Sequence, residues 1–316
     1  MKKFLLQIPA ILLLSTNILS AYKLDISYQS AKKKFSHCFD QNNDRFLIIH
    51  NEKITKNSPG YPLNNYEKYK LNNNSLENFS LFAVFAGHGK SAVISEDLQE
   101  QFYTTFYKNY KDCADKTHTY ENIKKALQKT AIELDEKSKK NTNNLKIIGS
   151  TITCLLLYKN KNNQFVWLTA HAGNSGVIIL PTKQGSSIHT TVSHDLNNQK
   201  ELKRVFSENG VIINGKLGGQ LKITRSIGDY ARYSYGTLEE TKKIPGLTCE
   251  LEISKEIPAQ PGQTALVFSD GLINGQPTYR IFDPCYENQE SSDVCKAIMA
   301  CTGTDNTTAI VIKYKE

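Results

Sequence analysis

Three short apolar runs, STITCLLLY (150–158), FVWLTAHA (165–172) and GVIIL (176–180), follow one another across links of six and three residues. Parallel strands need a crossover of a dozen or more residues, so runs this close are expected to pair antiparallel. Further runs rich in branched residues at 45–50, 80–85, 264–268 and 308–313 read as strands of the same kind. Between them the period changes. In 91–110, Ile94, Leu98, Phe102, Phe106 and Tyr110 recur every four residues, and in 119–137 Ile123, Leu127, Ala131 and Leu134 do likewise, which predicts two amphipathic helices. A third helix over 198–209 would bury Leu202, Val205 and Phe206 and stop at Gly210 as a left-handed cap. The predicted class is α+β, an antiparallel β-sandwich flanked by helices. The polar stretch 51–78, with Pro59-Gly60 inside it, is expected as a mobile insertion.

The first twenty-one residues, MKKFLLQIPAILLLSTNILSA, have a basic start, an apolar core and a polar end, the pattern of a signal peptide. Ser15-Thr16 and Asn17 interrupt the core before it reaches the roughly 20 apolar residues of a membrane span. No stable membrane span is expected, leaving one domain over 22–316 that is secreted or lies in the lumen of the secretory pathway. Lys and Arg outnumber Asp and Glu by 39 to 31, but the excess is scattered through Asn/Lys-rich stretches such as KNKNN. A nucleic-acid binder would concentrate it on one face, so no nucleic-acid partner is expected. Seven cysteines are present. Cys154 sits in an apolar run and reads as a buried thiol. Cys285, Cys295 and Cys301 crowd one region, and at least one disulfide among them is expected in an oxidising compartment.

Chemistry is carried by three segments. LFAVFAGHGKSAV brings a strand to Ala86 and turns through Gly87-His88-Gly89 into a helix; VFSDGL delivers Asp270 to a strand end; TDNTTAIVI sets Asp305-Asn306 before the last strand. Hard cations take carboxylate, carbonyl and water oxygens, so acids presented at strand ends suit Mg²⁺ or Mn²⁺.

The order of these segments resembles the metal-dependent PPM-type (type 2C) serine/threonine phosphatases. Their landmarks are an acidic pair, DGHG, GST, GDS, a helix ending in glycine, R-x-x-GD, SDG and DN. Here stand NNDRFLI (42–48), AGHG (86–89), GST (149–151), GNSG (173–176), KELKRVFSENG (200–210), TRSIGD (224–229), SDG (269–271) and TDN (304–306). The resemblance implies two-metal hydrolysis of phosphoserine or phosphothreonine. Carried over, Asp270 and Asp305 would hold one ion, and the Gly87 carbonyl with waters fixed by Asp44 the other. His88 would protonate the leaving oxygen.

The acid shared by both ions in that family is Ala86 here. The acidic pair becomes Asn43-Asp44, or Phe39-Asp40 in a rival register, and the GDS aspartate is Asn174. No arginine stands shortly before the pair, where the family holds the substrate phosphate; Lys32 to Lys34 are the nearest cations. Two dications about 4 Å apart repel by on the order of 16 kcal/mol at an effective dielectric of 20, which an anionic bridge offsets and a methyl group cannot. The expectation is a pseudophosphatase that binds a phosphoprotein or other protein partner, with Mg²⁺ or Mn²⁺ held weakly or as a single ion. The alternatives are an active but atypical phosphatase and a protein that keeps only the fold. Asp229 reads as a structural acceptor in a turn, and Arg225 as a partner of either phosphate or a carboxylate.

Overall fold

The central runs are apolar at nearly every position rather than at alternate ones, so each strand must be covered on both faces. That need dictates four layers. The structure is a computed structural model that describes residues 23–31, 43–50, 53–56, 66–67, 79–89, 91–113, 120–141, 147–183, 187–235, 238–273, 279–287, 290–300 and 306–315. Its main strands are β1 (Lys23–Ala31), β2 (Asp44–His50), β3 (Ser80–His88), β4 (Ile152–Lys159), β5 (Phe165–Ala172), β6 (Gly176–Leu180), β7 (Thr264–Phe268) and β8 (Thr307–Lys315). Its helices are α1 (Val93–Lys111), α2 (Tyr120–Ser138), α3 (Gln199–Ser207), α4 (Tyr279–Glu287) and α5 (Ser291–Ala300).

One antiparallel sheet runs β5-β4-β3-β2, and the other β1-β8-β7-β6. Side chains alternate between their two faces. From β3, Leu81, Ala83 and Phe85 pack with Leu98, Phe102 and Phe106 of α1 and Leu127 of α2, whereas Phe82 and Val84 enter the layer between the sheets. From β7, Ala265 and Val267 enter that same layer, while Leu266 and Phe268 meet Val294 and Ile298 of α5. Burying each such large apolar side chain contributes roughly 1.5–3 kcal/mol. Trp167 lies fully buried between the sheets, its indole N–H donating to Gln263 Oε1 at 2.9 Å. The α+β sandwich flanked by helices is therefore the fold. Of 51–78, Lys53–Lys56 pairs with β2 and Tyr66–Glu67 with that strand. The rest of 51–78 lies outside the described residues, as does the leader 1–21.

Three expectations need correction. First, β6 does not pair with β5. It crosses to the other sheet, pairing with β7 from Gly176↔Phe268 to Leu180↔Thr264. The three-residue link carries Gly173 at φ 115, and the outer edge of β5 is taken by Glu252–Ile253 and Ile257–Pro258. Second, α3 buries Val205 completely, but Phe206 is 58% exposed and the buried place one turn earlier belongs to Glu201. The left-handed residue after α3 is Asn209 at φ 59; Gly210 is instead buried against Val205. Third, Cys285 and Cys295 are free thiols, buried in the cluster under α4 and α5. Burial pushes them up to about 12 and about 11. Cys301 lies outside the described residues. Cys154 is a buried free thiol as expected.

Candidate functional site

The ends of β2 and β3 and the residues after β7 converge on one cavity of about 850 Å³. Its floor includes Asp44, Ala86, His88, Asn174, Asp270 and Asn306. Asp44 and Ala86 are cross-strand partners. The next step of the chain is tight: the Gly87 N–H donates to Asn43 O at 3.2 Å, and a Cβ on Gly87 would stand 2.6 Å from that oxygen. Only glycine fits so close an approach. Ala86 is buried and fixed by Thr151. Its N–H donates to Thr151 Oγ1 (3.2 Å), its carbonyl accepts the Thr151 N–H (3.0 Å), and Thr151 Oγ1 bonds Ser175 Oγ (2.8 Å).

Asp44 is held from the opposite sheet. The Ser269 hydroxyl donates to its Oδ2 at 2.8 Å, and Ser269 Oγ accepts the Thr308 N–H at 2.9 Å. Asp270, the first residue of the turn Asp270–Leu272, accepts on Oδ2 from the Asn174 side-chain amide at 2.8 Å. A carboxylate can only accept, so the amide must present its NH₂.

His88 is paired with a buried carboxylate. Its Nε2 lies 2.9 and 2.8 Å from the two oxygens of Asp229, so Nε2 carries the hydrogen. Burial pulls the imidazole pKa down, but the adjacent Asp229 carboxylate outweighs it, and the net pKa lies above 6.5. Asp229 sits in left-handed backbone (φ 58), fully buried, and accepts the Ser226 hydroxyl at 2.6 Å. Its carboxylate lies directly over the Cα of Gly149, where any Cβ would collide with it. The Asp229 turn is tied to α2 through Asp135, which accepts the Gly228 N–H (2.9 Å) and the Tyr230 hydroxyl (2.8 Å).

Arg225 resolves to a carboxylate partner. Its Nη2 and Nε reach the two oxygens of Glu201 at 2.6 and 3.1 Å, and Arg204 Nη2 shares the same carboxylate at 2.9 Å. Burial raises the Glu201 pKa, but hydrogen bonds from Arg225, Arg204 and Thr224 outweigh it and hold the carboxyl far below the usual range.

A family model described as Protein phosphatase 2C matches residues 62–302, most of the chain. The chain belongs to the protein phosphatase 2C family. Among its relatives, Probable protein phosphatase 2C 3 of Paramecium tetraurelia is 23% identical over 270 residues, covering 76% of this chain and 85% of that protein. With Probable protein phosphatase 2C 2 of the same organism the match is 25% over 166 residues, 49% of this chain and about half (51%) of the relative's length. A serine-threonine phosphatase 2C from Toxoplasma gondii superposes with TM-score 0.61 at 15% identity, covering 92% of this chain and 95% of that one. A C. elegans sex determining protein superposes with TM-score 0.62 at 20% identity, covering 91% of this chain and 64% of that one. These likenesses carry the fold.

Phosphatase 2C proteins use Mg²⁺ or Mn²⁺. The donor set among the described residues does not fit an ion pair. Ala86 offers a buried methyl, and an Asn174 N–H occupies Asp270 Oδ2. Asp44, Gly87, His88 and Asp270 do come together at one cavity, while Asp305 and Asp40 lie outside the described residues. Ser269, Thr151 and Asp135 escaped the sequence reading. Ser269 and Thr151 stand inside quoted landmarks, so position was their only signal; Asp135 had none, because it looks like one more polar residue of α2.

Proposed function

We propose that this phosphatase 2C-family protein is a secretory-pathway pseudophosphatase that binds a phosphoprotein partner without hydrolysing it. The observation that carries the reading is Ala86, a buried methyl directly opposite Asp44 where the resemblance calls for the bridging acid. Asn174 supports it, since a neutral amide donates to Asp270 where that resemblance calls for a third acid. Without those charges, Mg²⁺ or Mn²⁺ would bind weakly or as a single ion through Asp270 and, by the resemblance, Asp305. The secretory route rests on the basic, apolar and polar succession of 1–21.

A second reading, an active atypical phosphatase, is favoured by His88. Its bond to Asp229 fixes the orientation of an imidazole that lines the cavity, an arrangement a binding module has no need to keep. Incubation with phosphoserine-containing casein and millimolar Mn²⁺ separates the two. The pseudophosphatase releases no phosphate above an Asp270→Asn control yet retains the phosphoprotein on a column. Phosphate release that exceeds the control establishes the enzyme.

A further inference from the structure

We propose that Lys216 and Lys222 form the anion-binding wall of the cavity and hold a partner's phosphomonoester without metal or arginine. This rests on the phosphoprotein-binding reading above and assigns its binding residues. Three described arginines are candidates for a phosphate contact, and each is already committed. Arg225 and Arg204 grip Glu201, and Arg45 pairs with Glu96 while donating to the Asp44 carbonyl. Lys216 and Lys222 both line the cavity, and neither ammonium has a hydrogen-bond or carboxylate partner among the described residues.

The acids of the cavity are, in contrast, engaged. Asp44 accepts from Ser269 and Asp270 from Asn174. Asp195 accepts the Ser193 hydroxyl (2.6 Å) and the Asn197 N–H (2.8 Å). Two cations without a carboxylate partner therefore share a concave space with carboxylates that take their hydrogen bonds from neutral donors. A phosphate dianion placed there gains charge-assisted hydrogen bonds that no internal partner competes for.

The backbone beneath both lysines is fixed. Lys216 pairs with Ile213 in a two-residue ribbon closed by Asn214-Gly215, whose φ values of 52 and 69 suit a primed hairpin turn. Its neighbour Leu217 is fully buried. Lys222 stands between Leu221 and Ile223, both buried in the same cluster as Leu217 and Val205. Leu217 and Leu221 are also bridged, the Leu217 N–H donating to the Leu221 carbonyl at 2.7 Å. The two ammonium groups are thus presented from one anchored segment, so part of the ordering cost of binding is met in folding.

The test is calorimetric titration of the full chain with N-acetyl-phosphoserine amide in EDTA, comparing wild type, Lys216→Ala/Lys222→Ala and Lys216→Arg/Lys222→Arg. Circular dichroism melts check that all three fold alike. The expected result is metal-free binding that weakens at least tenfold in the alanine variant and is kept within threefold in the arginine variant. Equal binding by wild type and the alanine variant overturns the lysine assignment while leaving phosphoprotein binding intact. Binding that appears only when Mn²⁺ replaces EDTA overturns the lysine assignment, because the metal would then carry the anion, while phosphate release in the same samples decides the pseudophosphatase reading separately.

Discussion

Ala86 and Asn174 stand where the resemblance calls for metal-binding carboxylates, and each is integrated into its surroundings. Ala86 is pinned on both backbone groups by Thr151, and Asn174 donates to Asp270. Replacing both tests whether charge alone is missing. In Ala86→Asp/Asn174→Asp the new carboxylates, one buried opposite Asp44 and one half-buried against Asp270, should lower stability in EDTA by roughly 1–3 kcal/mol. Mn²⁺ should restore the melting temperature, and calorimetry should find Mn²⁺ affinity at least tenfold above wild type. A double variant that melts low in EDTA and gains nothing from Mn²⁺ would place the defect elsewhere in the site.

Among the elements, the segment from the end of β5 through α3 to the strand beside β5 carries a buried, stacked pair of histidines that makes stability depend on pH. His171 stacks on His194 with ring centroids 4.3 Å apart, and its Nε2–H donates to the Val192 carbonyl at 2.9 Å. Burial first, and then the neighbouring His194, lower its pKa to about 4, against 6.5 unperturbed. Between pH 6.5 and 4 the unfolded chain binds a proton that the fold refuses, so stability falls as the pH drops through that window, by up to roughly 3 kcal/mol. Urea titrations of wild type and His171→Gln at pH 7 and 4.5 check this; the variant should lose most of the difference. The same region marks what was legible in the sequence. Long periodic helices and fully apolar strands could be read because their patterns are set by what they bury: β5, β6 and β7 have the predicted limits, and α1 and α2 bury the predicted residues. The partner of β6 could not be read, since a short link permits either a hairpin or a step to the next layer. Glu201 could not be placed inside, because its burial depends on Arg225 arriving from outside α3 to join Arg204, one turn along the same helix. β1 went unread although Leu24, Ile26 and Tyr28 alternate along it, as its β8 partner lies at the far end of the chain. Site residues in ordered motifs were legible one by one; what holds them, such as Ser269 on Asp44, was not.

For the whole molecule, four layers bring the ends of strands from two sheets to one cavity. The proposed secretory route predicts a mature chain beginning near Tyr22, recovered from medium or a luminal fraction. Intact-mass spectrometry checks it, and a soluble cytosolic product retaining 1–21 would contradict it. On the pseudophosphatase reading, Ala86 leaves this scaffold unable to assemble the ion pair that activates water. Calorimetric titration of the wild-type protein with Mn²⁺, coupled to turnover of p-nitrophenyl phosphate in the same samples and in Asp270→Asn, tests it most directly. Wild type should bind no more than one Mn²⁺, at millimolar affinity, with turnover equal to that of the variant. Two ions bound at micromolar affinity, with turnover that Asp270→Asn abolishes, would contradict it.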